Sequence, residues 1–254
     1  MRVLVTRPEP GGRLTADRLA PAGYEPVLMP LFVARITATA NDLPPADRIG
    51  GFVATSARAF SIFEGKDAAA ESLRRIPVHA VGPMTARAAR AAGFADIREG
   101  GGTASDLARS LVEAHSAATA AGGAAGKPSS DPALVYLAGT PRKPAIEDAL
   151  AAAELEVRVV ECYEMAQISY STDILISDIL SPPPDAVLLY SANAARRLAR
   201  LMYSKGLGNA LDSARFVCLS PAIAAALPER WRARSIAADH PDEDRLLASL
   251  AALG

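Results

Sequence analysis

Short β-branched and aliphatic runs alternate along this chain with Ala- and Arg-rich stretches whose apolar residues recur at helical spacing. The pattern predicts strands over Arg2–Thr6, Pro26–Leu31, Phe52–Thr55, Val78–Val81 and Ala95–Arg98. It predicts a second set over Ala133–Leu137, Val157–Cys162, Ala186–Tyr190, Phe216–Leu219 and Ser235–Ala237. Helices are predicted over Leu14–Ala22, after Ser56, from Gly82-Pro83 to Gly93, and over Thr103–His115. Others follow over Ala145–Ala153, Tyr170–Leu180, from Ser191, from Pro221 to Leu227, and over Asp242–Leu253. Gly23 is placed as a helix C-cap, and Ser56 and Ser191 as N-caps. Tyr163–Ser169 continues extended, and Cys162, alternating with Tyr163, is expected to point into a core. Strands alternating with helices at this spacing mean parallel sheets covered on both faces, an α/β fold.

The pattern also returns. The stretch Pro77–Phe94, strand then Gly-containing turn then helix, has its outline repeated in Phe216–Leu227, with Ser220-Pro221 where Gly82-Pro83 stood. Phe52–Phe63 lines up with Val187–Leu198, Ser56 falling on Ser191, and Val3–Phe32 lines up more loosely with Val135–Tyr163. Three segments recurring in one order read as a diverged internal duplication. The repeats meet at Ser116–Asp131, small, polar and Gly-rich, which is expected to be a flexible surface loop. Each repeat holds enough strands for one flavodoxin-like sheet. The longest polar connections, Ala38–Gly50 and Gln167–Pro184, follow the second strand of each repeat and are where the chain could leave one sheet for another.

Composition narrows the classes. The 254 residues are half apolar and carry a net charge of −1, so two modest cores are possible and no basic field attracts nucleic acid or anionic membrane. No apolar run approaches a membrane span, and the chain's start is too polar for a signal peptide. With two cysteines, Cys162 and Cys218, read as reduced buried thiols, the expectation is a soluble cytoplasmic protein. His79, His115 and His240 lie far apart without ligand spacing, so no metal is expected. No dinucleotide fingerprint, phosphate loop or nucleophile elbow is present, which speaks against a nicotinamide enzyme and an α/β-hydrolase.

Four segments carry a resemblance: Val3-Leu4-Val5-Thr6-Arg7-Pro8, Phe52-Val53-Ala54-Thr55-Ser56-Ala57, Ala80-Val81-Gly82-Pro83-Met84-Thr85-Ala86, and Val159-Val160-Glu161-Cys162-Tyr163. Together, four in register over 160 residues, they resemble uroporphyrinogen-III synthase, the match covering essentially the full chain. Glu154 departs from the pattern by occupying the place of a helix-ending Gly. The resemblance implies two HemD-like, flavodoxin-related domains joined by a two-strand linker. One would comprise residues 1–35 and 168–254, the other the inserted residues 36–167, with a substrate cleft between them. It implies cyclisation of the linear tetrapyrrole hydroxymethylbilane, with inversion of its last ring and loss of water, by a monomer needing no metal or cofactor.

A substrate with eight carboxylates calls for helix N-termini and a few cations at strand ends. The candidates for binding are Thr85, Ser56, Ser191, Ser220, Thr6, Arg7, Arg142 and Lys143. Tyr163, at the end of a predicted strand and on the family's tyrosine, is the candidate proton donor; its partner in the first repeat is Phe32, which has no hydroxyl. Arg196-Arg197 and Arg230–Arg234 read as solvated faces. A two-lobed small-molecule-binding or sensor protein is the alternative the same scaffold allows.

Overall fold

The computed structural model describes residues 1–64, 68–120, 132–142 and 144–253, without the side chains of 68, 69, 115 and 117–120. Lys143 and residues 121–131 of the expected loop lie outside the described residues. In chain order the elements are β1 (Arg2–Val5), α1 (Gly11–Leu19), β2 (Glu25–Leu28), β3 (Phe32–Ile36), β4 (Ile49–Ala54), α2 (Ala68–Leu73), β5 (Val78–Ala80), α3 (Pro83–Ala91), β6 (Ile97–Glu99) and α4 (Ala104–Ala120). They continue with β7 (Ala133–Thr140), α5 (Ala145–Ala152), β8 (Val157–Gln167), α6 (Thr172–Ile174), β9 (Ala186–Leu189) and α7 (Ala192–Ser204). The chain closes with β10 (Arg215–Cys218), α8 (Pro221–Ala224), α9 (Glu229–Arg232), β11 (Ser235–Ala237) and α10 (Glu243–Ala251).

Several elements differ from the pattern for local reasons. The predicted strand Pro26–Leu31 stops at Leu28 and a separate strand begins at Phe32; Pro30 between them has no N–H for a ladder. The segment after Ser56 is a tight 3₁₀ helix, Ala57–Phe63. Helix α4 runs through Ala120 into the expected loop, and its Ala-rich end suits a helix. Strand β7 extends over Gly139-Thr140, where a turn was expected. Helix α8 is only Pro221–Ala224; beyond it Ala226 and Leu227 bond to carbonyls three residues back, and Pro228 disfavours further helix.

The chain forms two compact units, residues 1–33 with 166–254, and residues 34–165. The first holds a five-stranded sheet in the order β11-β10-β9-β1-β2, parallel throughout. Taken in sequence within the unit, that is the 2-1-3-4-5 order of flavodoxin-like folds. The second, β8-β7-β4-β5-β6 with β3 added outside β8, has the same spatial arrangement with its chain order circularly permuted. Segments matched in the sequence take matched places: β1 and β7, β2 and β8, β9 and β4, β10 and β5. The boundaries between units fall within β3 and β8 rather than in the polar connections that follow them. A strand keeps its backbone donors and acceptors paired while it makes such a passage.

Each unit buries its sheet on both faces, as parallel sheets require. In the first, Leu4, Val187, Leu189, Phe216 and Cys218 share one core and Val3, Val5, Leu188 and Val217 the other. Trp231 is fully buried and stacks on Phe216 at 5.0 Å, whereas Arg230 and Arg232 are exposed, so within 230–234 it is the tryptophan that departs from the expected solvated face. Arg197 is likewise tied down, donating to the Ile168 carbonyl at 2.6 Å. In the second unit Phe52, Val78, Val135, Leu137 and Cys162 lie on one side of the sheet, and Val53, Tyr136 and Ala138 on the other with Leu107 of α4 and Ile146 of α5.

Candidate functional site

In a parallel sheet the carboxyl ends of the strands and the helix starts that follow them are where ligands are met, above all where the strand order reverses. In the first unit that point lies between β1 and β9, in the second between β7 and β4.

At the first, β1 runs into Thr6 and Arg7. Thr6 is fully buried and its hydroxyl donates to the Leu188 carbonyl at 2.7 Å. That hydroxyl spends its one donor tying β1 to β9. Arg7 lies over the Tyr190 ring, 4.4 Å from its centroid, and pairs with Glu243 at 3.0 Å. The same Glu243 oxygen accepts from the Tyr190 hydroxyl at 3.2 Å and from Thr15. Burial, with Glu243 adding to it, pushes the Tyr190 phenol up to about 12. Glu243 and Tyr190 were missed by the sequence reading: Glu243 stands in the first turn of the last helix, and nothing local announces a partner so far upstream. Ser191 caps α7, accepting from Ala194 N–H at 3.1 Å. Ser220 takes the N-cap position of α8 but its hydroxyl caps nothing.

At the second, the Thr55 and Tyr136 hydroxyls are 2.9 Å apart, and burial raises the Tyr136 phenol. Ser56 accepts from Arg58 N–H at 3.3 Å. Arg142 is clamped between Glu147 at 2.7 Å and Glu161 at 2.8 Å. Those hydrogen bonds, Glu161's first, raise the guanidinium, and the Arg142 bond holds the Glu161 carboxyl below its usual range. Both described candidate cations, Arg7 and Arg142, are therefore already neutralised by carboxylates of their own unit. Thr85 lies in the first turn of α3 behind Gly82 and is 5% exposed, while its neighbour Met84 is open to solvent.

Tyr163 sits within β8, half-buried, opposite Gly139 near the end of β7. The register slips between Ala138, which faces Glu161, and Gly139, which faces Tyr163, so Cys162 is an extra residue on β8. Such a bulge breaks the alternation of sides. Val157 and Val159 pack with the α4 and α5 side of the sheet; Val160, Cys162 and also Tyr163 pack with the other. The expectation that Cys162 and Tyr163 point apart is overturned, although Cys162 itself is buried as expected.

Among the described residues no helix is long and apolar enough to cross a membrane, and no three His, Cys, Asp or Glu side chains are placed to hold a metal ion. The arrangement is that of a two-unit α/β protein whose flavodoxin-type sheets present hydroxyls, phenols and helix starts at the carboxyl ends of their strands.

The sequence model of the uroporphyrinogen-III synthase HemD family matches residues 14–248, and the chain belongs to that family. Its activity is that of a lyase in haem biosynthesis, cyclising hydroxymethylbilane to uroporphyrinogen III. The fold is similar to that of uroporphyrinogen-III synthetase from Helicobacter pylori, with TM-score 0.68, 16% identity and 100% of each chain covered. It is also similar to a mutant uroporphyrinogen III synthase from Thermus thermophilus, with TM-score 0.56, 19% identity, and 100% of this chain and 97% of that one covered. No curated protein sequence matches the chain.

Proposed function

We propose that Tyr163 is the proton donor of the cyclisation, and that the helix starts after β4, β5, β9 and β10 bind the substrate's carboxylates. The observation that carries this reading is the placement of Tyr163: a half-buried phenol paired with Gly139 beside the carboxyl end of β7, and turned by a bulge out of the alternation of β8. The substrate's hydroxyl leaves as water when the phenol supplies a proton, generating an electrophilic azafulvenium. The substituted carbon of the last ring then attacks, its bond to the old bridge breaks, and the freed bridge carbon is taken up at the ring's open α-carbon, which inverts the ring. The proton lost as that pyrrole regains aromaticity balances the one the phenol gave. The spontaneous closure occurs at the wrong carbon, so the larger task is holding the chain in the productive geometry.

Thr85, Ser56, Ser191 and Ser220, each at a helix start, supply hydroxyl and backbone donors to carboxylates. Arg7 and Arg142 take part only where a substrate carboxylate competes with Glu243, or with Glu147 and Glu161. Lys143 is retained from the sequence as a third cation. On this reading the enzyme works as a cytoplasmic monomer on a free small-molecule substrate, without metal or cofactor.

The test is Tyr163→Phe, which keeps the ring and its packing. Rate and isomer ratio are measured on freshly generated hydroxymethylbilane with chelator present, beside a melting curve. The expected result is a folded variant slowed by about 10²-fold, the low end for general-acid assistance with so labile a leaving group. A folded variant with full rate and pure type III product removes Tyr163 from the chemistry. Wild-type protein yielding only the type I ring would make the chain a binder.

A further inference from the structure

The hydroxyl of Tyr163 needs a seat, and the structure shows one made by an absent side chain. Gly139 is the register partner of Tyr163 on the neighbouring strand. A Cβ built on Gly139 would stand 2.5 Å from the Tyr163 hydroxyl oxygen and 2.6 Å from Cε2. Real Cβ atoms essentially never come so close to another heavy atom, so the tip of the phenol occupies the volume any other residue's side chain would fill. The backbone does not demand glycine here: Gly139 is not among the residues with positive φ, unlike Gly23, Gly93, Gly102 and Gly206. Glycine in a strand interior weakens the strand and often marks a bulge or a close approach. Both are present at this position, and the group approaching is the reactive one.

The bulge supplies the other half. Had Cys162 taken a regular place in the ladder, the alternation that puts Val160 on one side of the sheet would put Tyr163 on the opposite side, with Val157 and Val159. The slip turns Tyr163 onto the Cys162 side, and the missing Cβ of Gly139 lets its ring settle there. The first repeat lacks both devices. The β1–β2 register is regular from Arg2 to Val5, and the alignment that sets Val3 on Val135 sets Arg7 on Gly139. The partner of Tyr163 there is Phe32, with no hydroxyl to place.

We infer that Gly139 is the positioning residue for the Tyr163 hydroxyl, setting where that group stands relative to the reacting end of the substrate. The inference rests on the reading of Tyr163 as proton donor. The atoms in conflict are at the far, half-exposed end of a side chain, so the ring can swing away. Gly139→Ala therefore displaces the hydroxyl while leaving the fold intact.

The test is a cycle of Gly139→Ala and Tyr163→Phe, singly and together, read as type III rate, isomer ratio and melting temperature. Expected are a Gly139→Ala loss of about 10- to 100-fold in rate, as for an ångström-scale misplacement, with a melting temperature close to wild type. In the Tyr163→Phe background the same change should cost no further rate, because there is no hydroxyl left to misplace. Gly139→Ala at full rate while Tyr163→Phe is slow overturns the positioning role and leaves the donor standing. Losses that multiply in the double variant overturn it too, since Gly139 would then act apart from the hydroxyl. Tyr163→Phe at full rate removes the donor and the inference with it. Should Gly139→Ala not fold, pairing it with Tyr163→Ala decides: restored folding supports the seat, and continued misfolding overturns it.

Discussion

His79 is a half-buried imidazole on β5, facing Arg98 of β6 across the ladder. Burial lowers its pKa below the ordinary 6.5, and the Arg98 charge adds to the effect against a smaller opposing pull from Asp96. The neutral ring is therefore favoured in the folded state. As pH falls through about 6.5 the unfolded chain takes up a proton that the folded one refuses, so stability is lost until pH reaches the lowered folded value. The melting temperature should fall between pH 7.5 and 5, and His79→Gln should flatten that part of the curve. An unchanged slope in the variant would assign the dependence to other groups. The imidazole is legible in the sequence, but the direction of its shift is not, because Arg98 reaches it only through strand pairing.

Among the elements, α5 ends on a residue the pattern marks as out of place. Glu154 has φ 57, the left-handed conformation that costs a side chain about 1 kcal/mol. Its amide donates to Ala151 O at 3.0 Å, and the next amide, of Leu155, reaches back to Leu150 O at 3.0 Å. The C-cap is thus formed geometrically without the glycine that usually makes it. Glu154→Gly should raise stability by about 0.5–1 kcal/mol, the relieved strain being partly offset by glycine's unfolded-state entropy. Thermal and denaturant unfolding measure it, and a destabilised variant would show that the Glu154 side chain holds more than its backbone suggests. Elements of this kind were readable because caps are local: Gly23 at φ 84, Gly93 at φ 94, and the Ser56 and Ser191 hydroxyls all sit where the pattern put them. The bulge in β8 was not, since an extra residue in a strand is defined only against the strand beside it.

At the scale of the molecule, each unit draws on both halves of the chain. The five-stranded sheet takes β1 and β2 from the first half and β9, β10 and β11 from the second. The six-stranded sheet takes β3, β4, β5 and β6 from the first and β7 and β8 from the second. Every residue of the Phe52 and Val53 cores belongs to residues 34–165, a continuous stretch of chain. A protein of residues 34–165 alone should consequently fold, with a cooperative melt and α/β circular dichroism, and should not form type III product. A fragment that stays unfolded would mean that the remaining residues contribute to this core in ways its packing does not reveal. The other unit is discontinuous, and the pairing of β1 with β9 joins its two segments into one sheet.

The sequence alone determined most of the strand and helix order, though not β3, α2 or α9, together with the segments that recur, the caps and the resemblance now matched by the family model. Those follow from periodicity, turn chemistry and local hydrogen bonding, which act over a few residues. Tertiary structure decided the rest. It buried Thr6 against Leu188, gave Arg7 to Glu243 and Arg142 to Glu147 and Glu161, and placed Trp231 in a core. It also turned Tyr163 through a slipped register onto Gly139. Each joins groups distant along the chain, and a charge or a ring finds its partner only once the sheets have set which strand ends lie side by side.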